Sequence, residues 1–191
     1  MTRILGISGS LRAGSFNTAL LNAAQAAAGG EVDFDVATLH GIPLYDGDLE
    51  QRVGLPAAVA ALKQRIVDSD GVLLVTPEYN NGIPGVFKNA IDWLSRPSND
   101  IARVFGDRAF AVIGASPGGF GTILSQNAWL PVLKTLGTRQ WSGGRLLVSR
   151  AGQAFDERGG LLDENVRRQL AGFIAGFARF ADAGATSTPR A

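Results

Sequence analysis

The chain has 191 residues, of which 46% are hydrophobic and 18% are charged, and its formal net charge is +1. This size fits one domain with its own core, and the near-neutral charge gives no reason to expect binding to nucleic acid or to an acidic membrane surface. Because the sequence contains no cysteine, disulfides and thiolate metal sites are excluded. We expect no metal site, no membrane span and a cytoplasmic location, since the sequence shows neither metal-ligand spacing nor a membrane-length apolar run.

Apolar runs alternate with segments of helical period along the chain, which is typical of an α/β fold with a parallel sheet. The runs predict five strands, over residues 3–7, 32–39, 71–76, 109–115 and 145–149. The helical segments predict five helices, over 17–28, 56–67, 84–95, 122–136 and 166–180, and residues 40–55 are interpreted as a polar connection. We expect residues 1–183 to form a single domain and residues 184–191 to form a flexible tail.

Five strands and five helices in alternation favour a flavodoxin-like, doubly wound sheet of order 2-1-3-4-5, with helices on both faces. In such sheets, ligands bind outside the carboxyl ends of the strands. Three predicted strands run there into polar, glycine-containing segments, which we name the first loop (residues 8–18), the second loop (77–82) and the third loop (116–121). Three such loops at one edge of the sheet predict a binding site.

The first loop is rich in groups that bind anions. Its hydroxyl, amide and guanidinium donors are on Ser8, Ser10, Ser15, Thr18, Asn17 and Arg12. It lacks the third glycine of the dinucleotide fingerprint and the lysine of the P-loop. We therefore expect a single terminal phosphate monoester, as in a mononucleotide. The alternative is an ordinary solvated turn in which Ser15 or Asn17 caps the helix.

The other two loops would lie against whatever the phosphate carries. Tyr79 offers an aromatic surface, and Asn80 and Asn81 can bond the edges of a ring. Glu78 either orients a ligand amide or is a solvated or capping carboxylate. The third loop has almost no side chains, which suits backbone N–H donation to a planar heteroaromatic edge, although glycines also mark a merely flexible turn.

Some aromatic side chains outside the loops are better explained by packing or exposure. Trp93, Trp129 and Trp141 are interpreted as core residues rather than pocket residues, because aromatic residues at helical spacing are more often core. His40 stands alone on a polar connection and is interpreted as a surface residue without a catalytic role.

Three motifs together resemble the NADPH-dependent FMN reductase family of flavodoxin-like quinone, chromate and azo reductases. They are GSLR at 9–12 with S-x-N at 15–17, PEYN at 77–80, and PG-x-x-KNAIDWLSR at 84–96. The resemblance covers roughly residues 3 to 180 and implies FMN as the bound cofactor, with NADPH or NADH as electron donor. The cofactor-binding residues that it implies are Ser10, Arg12, Ser15, Phe16, Asn17 and Thr18 in the first loop, Pro77, Glu78, Tyr79, Asn80 and Asn81 in the second, and Ser116, Gly118 and Gly119 in the third.

The same resemblance implies a reaction and an assembly. No catalytic side chain is expected, because the flavin carries the redox chemistry. We expect ping-pong hydride transfer from NADPH through FMN to quinones or related small acceptors, such as azo compounds, chromate or free flavin. The family also implies a homodimer or homotetramer, with the helix of residues 88–96 near the subunit contact. The alternative function is a flavin-binding electron carrier or redox sensor; the near-neutral charge argues against a carrier that docks through strong acidity.

Overall fold

A parallel sheet forms the centre of the computed structural model, which describes residues 1–185. The strands are β1 (Thr2–Ser8), β2 (Val32–Ala37), β3 (Gly71–Val75), β4 (Ala109–Ala115), β5 (Arg139–Gln140) and β6 (Leu147–Val148). They pair in the order β2-β1-β3-β4-β5, and β6 also pairs with β4. Helices cover both faces, so the predicted flavodoxin-like, doubly wound fold is confirmed.

The edge strand next to β4 differs from the prediction of one strand over 145–149. Here β5 pairs with Ala109 and Phe110, and β6 pairs further along with Gly114 and Ala115. The chain between them bends around the ring of Trp141, since a Cβ on Gly143 or Gly144 would lie 2.7 Å from that ring. The edge strand is therefore split in two, and only its second half falls within the predicted segment.

Eight α-helices lie among the described residues, and the five longest correspond to the predicted ones. The helices are α1 (Phe16–Ala27), α2 (Gly47–Val53), α3 (Ala57–Val67), α4 (Gly85–Leu94), α5 (Ile101–Phe105), α6 (Ile123–Thr135), α7 (Ala151–Ala154) and α8 (Glu164–Ala185), with a 3-10 turn at Ser98–Asp100. Helix α2 lies within the predicted polar connection, and it was missed because it buries no residue and so has no apolar stripe. Helix α8 includes the first two residues of the predicted tail, and residues 186–191 lie outside the described residues.

Two hydrophobic layers enclose the sheet. Successive residues of β3 point to opposite faces, so that Leu73 and Val75 contact the layer formed by α1 and α8, whereas Val72 and Leu74 contact the layer formed by α3, α4, α5 and α6. All five residues of β3 are buried, as expected for the central strand of a parallel sheet. The carboxyl edge of this rigid sheet carries the three polar loops.

A buried lysine of α3 forms an ion pair in the hydrophobic layer formed by α3, α4, α5 and α6. The ammonium of Lys63, which is only 3% exposed, donates to a carboxylate oxygen of Asp100 at 2.9 Å and to the carbonyl of Arg96. Arg103 also donates to Asp100, at 2.6 Å. These hydrogen bonds, from Arg103 first and Lys63 second, hold the pKa of Asp100 well below its usual range.

We expect Asp100→Asn to lower the melting temperature at pH 7, and this difference to shrink as the pH falls below about 4. The pKa of Asp100 is depressed in the folded protein, so its carboxylate stabilises the fold above the unfolded pKa, and this contribution is lost as the pH falls through the folded pKa. Thermal unfolding at pH 7, 5 and 3 measures the effect. Asp92→Asn is the control, because Asp92 pairs with a lysine at the surface. If the difference in melting temperature between the wild type and Asp100→Asn did not change with pH, the depressed pKa of Asp100 would not be the cause of the stabilisation.

Candidate functional site

The three polar loops meet around one cavity at the carboxyl edge of the sheet. Its volume is about 60 Å³, which holds a group of phosphate size, so the remainder of a nucleotide would have to lie along the open edge. The lining residues are Ser10, Arg12, Ser15, Phe16, Asn17, Pro77, Glu78, Tyr79, Ala115, Ser116 and Pro117. Ala115 and Pro117 were not among the predicted site residues, because neither side chain carries a polar group.

The first loop combines a helix cap with free donors. The hydroxyl of Ser15 accepts from the N–H groups of Asn17 and Thr18 at 3.2 and 3.3 Å, which makes it the N-cap of α1. The N–H groups of Ala13, Gly14 and Phe16 make no hydrogen bond within residues 1–185. The structure thus shows the capping interpretation for Ser15, and the capped end of α1 still has free donors and the positive end of the helix dipole, which suit an anion.

Asn17 ties the first loop to the sheet. Its amide nitrogen donates to the carbonyl of Ala115 at 2.8 Å, and its amide oxygen accepts from the N–H of Ala115 at 2.9 Å. The hydroxyl of Thr18 likewise pairs with that of Ser8, at 2.8 Å. The structure thus uses the side chains of Asn17 and Thr18 within the protein, and they position the loop.

Arg12 is the charged group that the first loop offers to a ligand. Its side chain is exposed, and its guanidinium has no partner in the part of the chain that the structure describes. Its backbone N–H donates to the hydroxyl of Ser10 at 3.3 Å, and that hydroxyl keeps its own hydrogen for a further bond. Arg12 and Ser10, both predicted as phosphate-binding residues, line the same cavity.

The second loop is a tight two-residue turn. Tyr79 and Gly82 exchange backbone hydrogen bonds of 3.2 and 3.0 Å, and the two residues between them, Asn80 and Asn81, have φ of 50° and 63°. Asparagine tolerates this left-handed backbone better than most side chains do, which explains the Asn-Asn pair in the turn. Asn80 and Asn81 do not line the cavity itself, whereas the half-exposed ring of Tyr79 stands at its edge.

Glu78 connects the second loop to the helix that follows the third loop. One of its carboxylate oxygens accepts from the N–H groups of Leu124 and Ser125, at 2.8 and 3.0 Å, in the first turn of α6. Thr122, at the N-cap position, makes no such bond with its side chain. Of the alternatives for Glu78, the structure therefore supports the capping carboxylate.

The third loop is held by the turn after β6. The hydroxyl of Ser116 accepts from the N–H of Gly118 at 3.1 Å. The N–H of Arg150 donates to the carbonyl of Gly118 at 2.9 Å, and that of Ala151 donates to the carbonyl of Ser116 at 3.0 Å. Gly118 and Gly119 lie beyond the cavity lining. Arg150 was not predicted as a site residue, although its position after a predicted strand could have drawn attention to it.

Two further cavities are present, one beside the first loop and one at the opposite edge of the sheet. One, of about 240 Å³, adjoins the first loop at Ser15 and Phe16 and is also lined by Thr18, Asn22 and Arg158. A larger one, of about 830 Å³, opens at the opposite edge of the sheet, where its polar residues Thr2 and Asp182 bond to each other. Ala13 and Gly14 line the cavity of about 240 Å³ and not the smaller one. We place the candidate functional site at the smaller cavity because all three loops contribute to its lining.

The third family motif, residues 84–96, holds the connection of residues 40–55 against α4. None of its residues lines the cavity where the three loops meet. The side chains of Asn89 and Trp93 donate to the carbonyl of Pro43, at 2.8 and 2.9 Å. Arg96 donates to Glu50 at 2.9 Å, and this bond lowers the pKa of Glu50. The hydroxyl of Tyr45 donates to the same carboxylate, which raises the pKa of Tyr45. The motif therefore has a structural role in this chain.

The remaining sequence interpretations concern isolated side chains. Trp93 and Trp129 are fully buried, and the half-buried Trp141 packs against Phe173 of α8, so all three belong to the core as expected. His40 is exposed, with one ring nitrogen 3.3 Å from the carbonyl of Leu11. Within residues 1–185, no three histidine, aspartate or glutamate side chains stand close enough to share a metal ion. None of the described helices is both long and apolar enough to cross a membrane.

Comparisons with known proteins agree with this arrangement of loops. The sequence pattern of the NADPH-dependent FMN reductase family matches residues 2–153. An NAD(P)H-dependent FMN reductase of Pseudomonas aeruginosa is 40% identical over 168 residues, which are 88% of this chain and 89% of the relative. A 2-hydroxy-1,4-benzoquinone reductase of a Burkholderia species is 36% identical over 92% of this chain and 94% of its own length.

A solved structure supports the same relationship. FerB, a flavoenzyme NAD(P)H:(acceptor) oxidoreductase from Paracoccus denitrificans, superposes with a TM-score of 0.85 at 34% sequence identity, over 96% of this chain and 99% of FerB. The family match covers most of the chain, and the relatives align over nearly their whole length. The chain therefore belongs to the NADPH-dependent FMN reductase family.

Proposed function

We propose that this protein is an NAD(P)H-dependent quinone reductase that holds FMN at the junction of the three loops. As a member of the family, the chain is an oxidoreductase that uses FMN and NAD(P)H. The observation that carries the placement of FMN is that all three loops line one phosphate-sized cavity. Phe16, whose N–H is free, and Arg12, whose guanidinium has no partner among residues 1–185, are both part of that lining. The residues present fit the cofactor, since these donors match a phosphate and the exposed ring of Tyr79 beside them matches a planar ring system.

We infer the role of each loop from its contacts. Arg12, Ser10 and the N–H groups at the start of α1 would bind the phosphate, and Asn17 and Thr18 would hold that loop in place. The second loop would lie along the ribityl chain and ring through its backbone and Tyr79. The third loop would offer backbone N–H groups of Gly118 and Gly119 to the pyrimidine edge. Pro77, Ala115 and Pro117 line the cavity with apolar surface that keeps water away from these bonds.

Bound FMN supplies the hydride chemistry between the nicotinamide nucleotide and the acceptor. The chain's own residues bind and orient the ligands, and its unpaired cations and N–H donors stabilise negative charge near the site. Quinones are the acceptor class that we propose first, because the Burkholderia relative is named for a benzoquinone. Azo compounds, chromate and free flavin are further acceptors of the same proposal.

We propose that donor and acceptor use the same open edge in turn, which is ping-pong kinetics. The open edge beside Tyr79, which is 46% exposed, supports this order because it leaves one accessible surface next to the cavity. Initial rates over a grid of NADPH and benzoquinone concentrations are expected to give parallel double-reciprocal lines. Intersecting lines would show that both ligands bind together, and the shared edge would then be wrong.

The visible spectrum of the purified protein, recorded before and after anaerobic addition of NADPH, tests the function directly. A yellow protein that releases FMN and is bleached by NADPH or NADH is the expected result. A yellow protein that neither nucleotide reduces would favour the electron carrier or sensor. A colourless protein that cannot be reconstituted with FMN would contradict the placement of the cofactor.

We also propose that the protein forms a homodimer or homotetramer and that the subunit contact lies near α4. Leu44 is 80% exposed and Val53 is 61% exposed, and both belong to the connection that Asn89 and Trp93 fasten to α4. Such exposed apolar side chains are typical of contact surfaces. Light scattering should give a mass of twice or four times the 20.0 kDa of one chain. A mass of one chain at working concentrations would contradict this assembly.

A further inference from the structure

Arg150 lies between the first and third loops, although neither the motifs nor the cavity lining includes it. It follows β6 at the carboxyl edge of the sheet, and its N–H donates to the carbonyl of Gly118 at 2.9 Å. Two residues later, a Cβ on Gly152 would stand 3.9 Å from the ring of Phe16, which lines the cavity. The backbone of Arg150 is thus fixed next to the cofactor site.

The backbone of Arg150 is strained. Its φ of 47° and ψ of 46° lie in the left-handed region, which glycine adopts without cost and asparagine tolerates, but which is unfavourable for arginine. Among residues 1–185, four non-glycine residues have a positive φ, and three of them, Asn80, Asn81 and Arg150, lie at this edge of the sheet. Such residues persist where the surrounding structure holds them, here through the hydrogen bonds of Arg150 and Ala151 to the third loop, and they cluster at ligand sites.

The side chain of Arg150 does not stabilise the fold through any polar contact among the described residues. It is exposed, and its guanidinium has no hydrogen-bond or ion-pair partner within residues 1–185. Other arginines of the chain are used structurally; for example, Arg96 binds Glu50 and Arg103 binds Asp100. A free guanidinium at a ligand site suits a phosphate, to which it can make two parallel hydrogen bonds.

We propose that Arg150 binds a phosphate group of the reduced nicotinamide nucleotide. This inference rests on the proposed function, in which Arg12 serves the FMN phosphate and a second anionic ligand approaches the same edge. The nucleotide donor carries a diphosphate and, in NADPH, a 2′-phosphate, both of the chemistry that a guanidinium recognises. Arg150 is then a binding residue for the electron donor, and a contact with the 2′-phosphate would also make it selective for NADPH over NADH.

Direct binding tests this role without turnover. Titration calorimetry of the FMN-loaded protein with NADP⁺ and with NAD⁺ should show that Arg150→Gln weakens binding about tenfold, whereas Arg150→Lys weakens it less. A loss confined to NADP⁺ assigns the contact to the 2′-phosphate, and an equal loss for both nucleotides assigns it to the diphosphate. Arg179→Gln is the matched control, because Arg179 is also exposed but lines the cavity at the opposite edge of the sheet, so its loss should leave nucleotide affinity unchanged.

Stability and FMN affinity separate this role from a structural one. Arg150→Gly should raise the melting temperature by about 2–4 °C, since it relieves the left-handed strain, and should still lose nucleotide affinity. Unchanged nucleotide affinity in Arg150→Gln would overturn the proposal, as would a matching loss of FMN affinity, which would place Arg150 on the cofactor. If Arg150→Gln remains yellow and is bleached by saturating NADPH while its nucleotide affinity equals that of the wild type, the proposed function stands and this inference fails.

Discussion

Asn17→Ala is expected to lower the free energy of unfolding by about 3 kcal/mol and to weaken FMN retention at the same time. The amide of Asn17 is 4% exposed and satisfies both the N–H and the carbonyl of Ala115 at the end of β4. A methyl group leaves these two buried peptide groups without partners. The first loop also loses its tie to the sheet, so its phosphate donors are no longer held in place.

Arg12→Ala provides the matched comparison, since it removes a donor of the same loop without touching the fold. Arg12 is exposed and its guanidinium has no partner among the described residues, so the free energy of unfolding should stay within about 0.5 kcal/mol of the wild type. FMN affinity should fall about tenfold, because a charge-assisted bond to the phosphate is lost. Urea unfolding of the FMN-free proteins and fluorescence titration with FMN measure the two quantities. Unchanged FMN affinity in both variants would contradict the phosphate assignment.

The sequence predicts where the candidate site lies because its position depends on strand ends. Buried runs such as 71–76 identify the strands of a parallel sheet, and a doubly wound sheet brings the ends of β1, β3 and β4 to one edge. The polar loops at those ends are therefore expected to lie together, and residues of all three line one cavity. The hydroxyls, amide and guanidinium of the first loop then pointed to a phosphate.

The bonds between the loops could not be predicted in the same way. The partner of Asn17 lies 98 residues away in sequence, and the helix that Glu78 caps begins more than 40 residues after it. No local pattern specifies such pairs, so Asn17 was interpreted as a ligand donor, although its amide positions the loop. The short helices α2, α5 and α7 were missed for a related reason, since their few turns carry no apolar period that a sequence can show.

The split edge strand illustrates a third limit. Periodicity predicts a continuous strand where the residues are apolar, but β5 consists of Arg139 and Gln140 and is defined only by its pairing with β4. After β5, the ring of Trp141 packs against Phe173 of α8. The chain leaves β4 there and pairs with it again at β6. This return brings Arg150 to the edge where the three loops meet, where its N–H donates to the carbonyl of Gly118.

Gly114→Ala is expected to destabilise the protein by about 3 kcal/mol and to disturb the spacing of the second and third loops. A Cβ at position 114 would overlap the carbonyl oxygen of Thr76, which immediately precedes the second loop, and the hydroxyl of Thr122, which immediately follows the third. Thr76 also bonds to Ser125 at 2.9 Å, so neither neighbour can move independently. The methyl group must therefore push apart two elements that the site requires at a fixed distance.

Gly119→Ala is the control for this prediction, because it adds the same methyl group in the third loop at a position with no atom within 4 Å and without a left-handed backbone. Its free energy of unfolding should change by less than about 0.5 kcal/mol. Urea unfolding of the two FMN-free variants separates a steric effect at position 114 from a general intolerance of the loop to side chains. If Gly114→Ala is as stable as Gly119→Ala, the close contact between β4, Thr76 and Thr122 does not set the spacing of the loops. If Gly114→Ala is much less stable than Gly119→Ala and also loses FMN affinity, the packing of β4 against Thr76 and Thr122 controls the positions of the second and third loops. Residue 114 does not line the cavity, so the effect on FMN would be indirect.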